Sequence, residues 1–225
     1  MSQNAFLETA YYDSVISKYL NKSSNVNFPQ KKIIIGNLFE KLRYGENPHQ
    51  ESSIYTMSGE LGLKKLNGKE LSYNNFNDIF SALSISKSLP KNIGTVIVKH
   101  ANPCGVSTNK KPIESFKNAY SCDPISAFGG VIACNYKVDK KIALEITKNF
   151  LEVILAKSFD KDSLNILKKK KNLRIIDISK YKTKNTSSFK NFDGSFLIQN
   201  KDNTILDSKR LKCVTKLKPS KKEMA

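Results

Sequence analysis

The sequence predicts a layered α/β domain with a largely parallel sheet. The run Thr95-Val96-Ile97-Val98 is apolar and β-branched, as expected of a strand buried on both faces. Comparable short runs follow at 130–134, 152–156, 173–178 and 195–199. Helix-forming stretches at 112–120, 138–150 and 161–170 separate most of them. Strands alternating with helices are the pattern of a sheet covered by helices.

Taken in order, Tyr12, Val15, Ile16, Tyr19 and Leu20 recur at helical spacing, so residues 5–20 should form an amphipathic helix. Residues 21–30 are rich in Asn and Ser and read as a linker. Ile33-Ile34-Ile35 then opens a strand that leads to Arg43 and Tyr44. A turn at Leu66-Asn67-Gly68-Lys69 precedes a helix over 78–89, apolar through Ile79, Phe80, Leu83 and Ile85. Pro90 ends it, because proline disfavours helix at the residue before it. Near the C-terminus, Ser220 and Glu223 stand at the spacing of a capping box. That box either starts a helix that is expected to continue past Ala225, where the chain stops, or belongs to a frayed polar tail.

A chain of 225 residues can bury a substantial core. It is 39% hydrophobic and 26% charged, with a negative mean hydropathy. No segment approaches the roughly 18 apolar residues of a membrane helix, so no membrane partner is expected. The start, Met1 to Phe6, lacks the basic and apolar regions of a secretory signal, which implies the cytoplasm. Cys104, Cys122, Cys134 and Cys213 form no C-x-x-C pair and read as reduced thiols. With only His49 and His100 beside them, no metal site is expected.

The net charge of +18 has two readings. One is a nucleic-acid surface; the other is a lysine-rich composition that attracts small anionic substrates. The lysines spread along the chain, and the one dense run, Lys168 to Lys171, sits where a helix should end and cations complement its dipole. No nucleic-acid partner is therefore expected, although a basic binding module remains the alternative from a different class.

Three segments carry residues suited to chemistry. Leu42-Arg43-Tyr44-Gly45-Glu46-Asn47-Pro48-His49-Gln50 sets a guanidinium, a phenol and an imidazole in an irregular loop after a strand. Arg43 presents planar donors that suit phosphate or carboxylate. Lys99-His100-Ala101-Asn102-Pro103-Cys104-Gly105 follows the buried run at 95–98, at a strand's carboxyl end, where open α/β sheets bind ligands. There His100 could move a proton and Lys99 could stabilise charge on an attacked carbonyl. Ser121 to Gly130 ends in paired glycines that let a ligand approach the backbone, or that simply turn the chain into a strand.

These segments, in this order, resemble the AICAR transformylase domain of the bifunctional purine-biosynthesis enzymes, which also carry inosinate cyclohydrolase. Phe6 to Asp13, Gly68 to Asn75, Phe150 to Ala156 and Leu167 to Leu173 extend the resemblance over nearly the whole chain. It implies a cytidine-deaminase-like α/β fold and formyl transfer from 10-formyltetrahydrofolate to the 5-amino group of AICAR. On that resemblance His100 is the proton-transfer base and Lys99 stabilises the transition state. Arg43, Tyr44, Gly129 and Glu152 contact AICAR, and two subunits form a homodimer with shared sites. Residues 1–30 would be the junction helix and linker after an absent cyclohydrolase domain. Residues 31–225 would be the N-terminal part of the transformylase domain, truncated at both ends and so either a partial enzyme or an inactive fragment. No metal is implied: the P-C-x-x-C run of zinc deaminases fails after Cys104, where Ser107 stands. Lys157 departs from the family, which usually has proline there.

Overall fold

Six strands form the central sheet of the chain, whose computed structural model describes residues 2–57, 59–182, 187–202, 204, 211–220, 222 and 223. The chain divides into two units, 1–182 and 183–225. In the first, helix α1 (Ser2–Ser23) precedes a hairpin of β1 (Asn37–Leu42) and β2 (Ser52–Thr56). Then come β3 (Lys64–Asn67), α2 (Tyr73–Ser88), β4 (Gly94–Lys99), β5 (Asn102–Thr108), α3 (Pro112–Cys122) and β6 (Gly130–Val138). The unit closes with α4 (Lys140–Thr147), β7 (Leu151–Phe159), α5 (Lys161–Leu167) and β8 (Arg174–Asp177).

The strand order is β3-β8-β7-β6-β4-β5. β6, β7 and β8 pair in parallel, whereas β4 is antiparallel to both β6 and β5, and β3 to β8. The expected α/β layering is present, and its parallel character resides in the middle three strands. One face buries Val96, Val98, Val131, Ala133, Val153, Leu155 and Ile176 against Phe76, Ile79 and Leu83 of α2. The other buries Ile97, Ile132, Ile154 and Ile175 against Phe116 of α3, Ile142 and Ile146 of α4, and Leu167 of α5. Each buried Val, Leu, Ile or Phe side chain among these contributes roughly 1.5–3 kcal/mol. Burial on both faces is why these strands read as unbroken apolar runs rather than as alternation.

Local chemistry explains the helix starts. Ser72 caps α2 by accepting from the amide of Asn75 (3.2 Å), and the Asn75 side chain accepts in return from the amide of Ser72 (3.2 Å). Asp139 and Asp160 cap α4 and α5 by accepting from the amides of Ile142 (2.9 Å) and Ser163 (2.7 Å). The Ser163 amide holds the Asp160 carboxyl below the ordinary range.

Several expectations need correction. α2 begins at Tyr73 rather than at 78, because Asn75 completes the box usually closed by Glu or Gln. The first strand starts at Asn37, not at Ile33: Ile33 and Ile34 are exposed, and β-propensity without a partner strand does not make a strand. α4 and α5 stop at Thr147 and Leu167, about a turn short of 150 and 170. β2, β3, β5 and a strand over Ser187–Phe192 were not anticipated. β5 was hidden by Asn102, Pro103 and Gly105, which are tolerated because it is an edge strand. Gly105 has a further reason: an added Cβ would lie 1.8 Å from the carbonyl oxygen of Ala119, so α3 packs directly on the strand backbone.

The expected N-terminal helix is α1, slightly longer than 5–20. Its apolar side chains Phe6, Leu7, Tyr12, Tyr19 and Leu20 are all more than half exposed. In the second unit, β9 (Ser187–Phe192) and β10 (Ser195–Asn200) form a hairpin across Asp193-Gly194. The capping box near the C-terminus is closed, with the Ser220 amide donating to Glu223 Oε2 at 2.8 Å. Among the described residues no helix is long and apolar enough to cross a membrane.

Candidate active site

The sequence-predicted site residues of the first unit collect at one end of the sheet. Lys99 ends β4 beside the start of β6, since Val98 pairs with Val131. Gly129 immediately precedes β6, Glu152 is the second residue of β7, and Arg174 begins β8. With strands about 4.8 Å apart, this row spans roughly 14 Å. The carboxyl-end reasoning held for β4 alone. Because β4 runs against its neighbours, the site lies at the amino ends of the three parallel strands.

Lys99 is half-buried, and its ammonium donates to the carbonyls of Phe128 (3.0 Å) and Gly129 (3.3 Å). An ammonium has three donors, so one remains for a further acceptor. Gly129 has φ 69°, and an added Cβ would lie 2.9 Å from Lys99 Nζ. Its amide donates to the carbonyl of Phe150 at 2.9 Å, and the Phe128 and Phe150 rings pack 4.9 Å apart on the same side.

His100 is exposed and lies in a tight turn directly after β4. Lys99 pairs with Asn102, so His100 and Ala101 alone form the hairpin turn between β4 and β5. Both are left-handed, with φ 51° and 59°. This is the geometry of a type I′ turn, normally built on Asn and Gly. Each non-glycine residue there costs roughly 1–2 kcal/mol. Asn102 Nδ2 donates to the carbonyl of His100 (2.9 Å), and the amide of Ala101 donates to Asp78 Oδ1 on α2 (2.7 Å).

Arg43 and Tyr44 follow β1 in the irregular loop that the sequence predicts. The Arg43 guanidinium lies 4.6 Å from the centre of the Tyr44 ring and donates to its hydroxyl at 2.6 Å. Gln50 closes the loop: its side chain accepts from the amide of Asn47 (2.8 Å), and its carbonyl from the amide of Gly45 (2.7 Å). Asn74 donates to the carbonyl of Glu46 (3.3 Å), tying the loop to the start of α2. His49 is exposed on this loop.

Glu152 is re-aimed by a bulge. Leu151 pairs with Gly130 and Val153 with Val131, which leaves Glu152 as the extra residue of β7. Its Oε2 accepts from Asn75 Nδ2 at 3.1 Å and lies 3.6 Å from the guanidinium of Arg174. Arg174 is buried and also donates to the carbonyl of Glu70 at 3.1 Å. Burial lowers its guanidinium pKa, Glu152 raises it, and the neighbouring charge of Arg43 lowers it again. Arg174 is thus attracted by the Glu152 carboxylate and feels the like charge of Arg43. Asn75, Asp78 and Arg174 went unassigned in the sequence reading. The available signal for Arg174 was a charge inside a run otherwise apolar enough for a buried strand.

This arrangement offers an imidazole and an ammonium on adjacent residues, a fork of guanidinium donors, and a carboxylate acceptor. Among the described residues no group of three His, Cys, Asp or Glu side chains could hold a metal ion.

All 225 residues match the model of the AICARFT/IMPCHase bienzyme family, and the chain belongs to that family of enzymes. The bifunctional purine biosynthesis protein PurH of Leptospira biflexa is 42% identical over 221 residues, 97% of this chain and 43% of that protein. Its namesake in Thermoanaerobacter sp. is 41% identical over 228 residues, 100% of this chain and 44% of that protein. That of Elusimicrobium minutum is 42% identical over 223 residues, 97% of this chain and 42% of that protein. The chain spans less than half the length of these relatives. A structural similarity extends to the dCMP deaminase of the cyanophage S-TIM5, with TM-score 0.31, 15% identity, and coverage of 46% of this chain and 93% of that one.

Proposed function

We propose that this chain carries the nucleotide-binding and proton-transfer part of a formyltransferase that moves a formyl group from 10-formyltetrahydrofolate to the 5-amino group of AICAR, in the synthesis of inosinate. The amine nitrogen attacks the formyl carbon, a new C–N bond forms, and the bond from that carbon to the folate nitrogen breaks. His100 takes the proton that the amine loses, since a resonance-delocalised amine is a weak nucleophile that needs a base, and the folate nitrogen takes up that proton as it leaves. Lys99 directs its remaining donor at the oxygen that gains negative charge. Arg43 and Tyr44 supply donors for the nucleotide's anionic groups, Gly129 a close backbone approach, and Glu152 an acceptor for its N–H and O–H groups. The positive charge of the chain suits both anionic reactants.

The observation that carries this reading is the Lys99–His100 pair on a strained hairpin beside Gly129, in a chain of this family. The remainder of the folate pocket, the homodimer and the cytoplasmic location belong to the same proposal. The test is formyl transfer to AICAR by the chain and by His100→Ala. Loss of the base should lower turnover by at least about 100-fold. Equal turnover in the two proteins would remove His100 from the mechanism. Bound AICAR without turnover in either would limit this chain to binding.

A further inference from the structure

We infer that Asp78 is a positioning residue for His100, acting through the backbone of the hairpin turn; the consequence for catalysis rests on the function proposed above. In a two-residue hairpin the flanking residues share the turn's own hydrogen bonds, so the amide of the second turn residue has no partner in the ladder. Here that residue is Ala101, and its amide donates to Asp78 Oδ1 at 2.7 Å. His100 and Ala101 are both left-handed, with φ 51° and 59°, and neither is the glycine or asparagine that adopts this backbone readily. Such a conformation persists only where its surroundings over-determine it.

Two groups do so. Asn102 Nδ2 holds the carbonyl of His100, and Asp78 holds the following amide. Asp78 is well placed because α2 is anchored on the sheet by Ile79, Ala82 and Leu83, all buried. The helix therefore transmits its fixed position to the turn through a single carboxylate. The bond that Asp78 receives comes from the backbone of Ala101 and not from the imidazole. It sets where the imidazole stands by setting the backbone beneath it.

The experiment uses the two imidazoles of the chain, His100 and His49, as NMR reporters, with His49→Gln to assign them. Asp78→Ala should shift the His100 resonances towards those of an unstructured peptide while His49 and the far-ultraviolet spectrum stay unchanged. Asp78→Asn keeps an oxygen acceptor and should leave His100 close to wild type. The decisive variant is Asp78→Ala combined with Ala101→Gly. Glycine adopts the left-handed turn without the carboxylate, so the double variant should recover the His100 signals. Formyl transfer to AICAR, measured in parallel, should fall about tenfold in Asp78→Ala and return to within about threefold of wild type in the double variant, with AICAR affinity changed little in either.

Unmoved His100 signals in Asp78→Ala would overturn the inference, as would a folded double variant as perturbed as the single one. If Asp78→Ala does not fold, the inference stands on the double variant, which must fold and show the wild-type His100 signals. Failure of the wild-type chain to bind AICAR would strike the proposed function alone, because the resonances report the turn without any ligand.

Discussion

Gly129 shows how much of the site depends on single atoms. With φ 69° and only 2.9 Å between a hypothetical Cβ and Lys99 Nζ, alanine there strains the backbone and pushes the ammonium from its carbonyl partners. Gly129→Ala is expected to cost roughly 1–2 kcal/mol of stability, and to weaken formyl transfer through displaced Lys99 while the fold persists. Denaturant unfolding and turnover measured together separate the two effects; unaltered turnover would mean that the ammonium position does not matter. A second residue-scale expectation concerns Cys134, buried in the sheet, where desolvation pushes its thiol up to about 12. At pH 8 almost none of it is the reactive thiolate, so a soluble alkylating reagent should label exposed Cys122 and Cys213 in the native protein. Cys134 should be labelled only at the rate of global unfolding. Rapid native labelling of Cys134 would contradict the packing. The motif residues at this scale were legible in the sequence. Asp78 and Arg174 were not, because their partners, the amide of Ala101 and the carboxylate of Glu152, lie far away along the chain.

The start of α2 is the element on which the site is assembled. Asn75 caps the helix with its oxygen and holds Glu152 with its nitrogen, so one side chain joins helix initiation to site geometry. Ser72→Ala should lower stability by about 1 kcal/mol. Asn75→Ala should cost more, since it also releases Glu152, and the double variant should cost less than the sum because both residues serve one box. Urea unfolding of the three variants checks this; strict additivity would mean that the two bonds act independently. The buried strands were legible because two-sided burial demands uninterrupted apolar residues. β5 was not, since an edge strand admits Pro103 and Gly105, and Glu152 was placed in its strand without any hint of the bulge that turns it. A bulge arises from a mismatch between two strands, here Gly130-Val131 against Leu151 to Val153, and neither strand's own sequence shows it.

Across the molecule, the antiparallel β4 brings a carboxyl end to the amino ends of β6, β7 and β8, and so gathers residues from the Arg43 loop to Arg174 along one sheet end. Pairing order decides this convergence, and pairing order is a long-range property that local patterns predict poorly. The family could be read from ordered motifs; the sheet direction could not. The chain spans less than half of its relatives, and on the function proposed above its share of the chemistry is expected to show first as recognition of the nucleotide. Calorimetric titration with AICAR of the wild-type chain, Arg43→Ala and His100→Ala measures that share. Saturable binding by the wild type is expected, at least about tenfold weaker without the charged hydrogen bonds of Arg43 and changed little without His100. No binding by the wild-type chain, or equal binding by Arg43→Ala, would contradict the assignment of this sheet end as the nucleotide site.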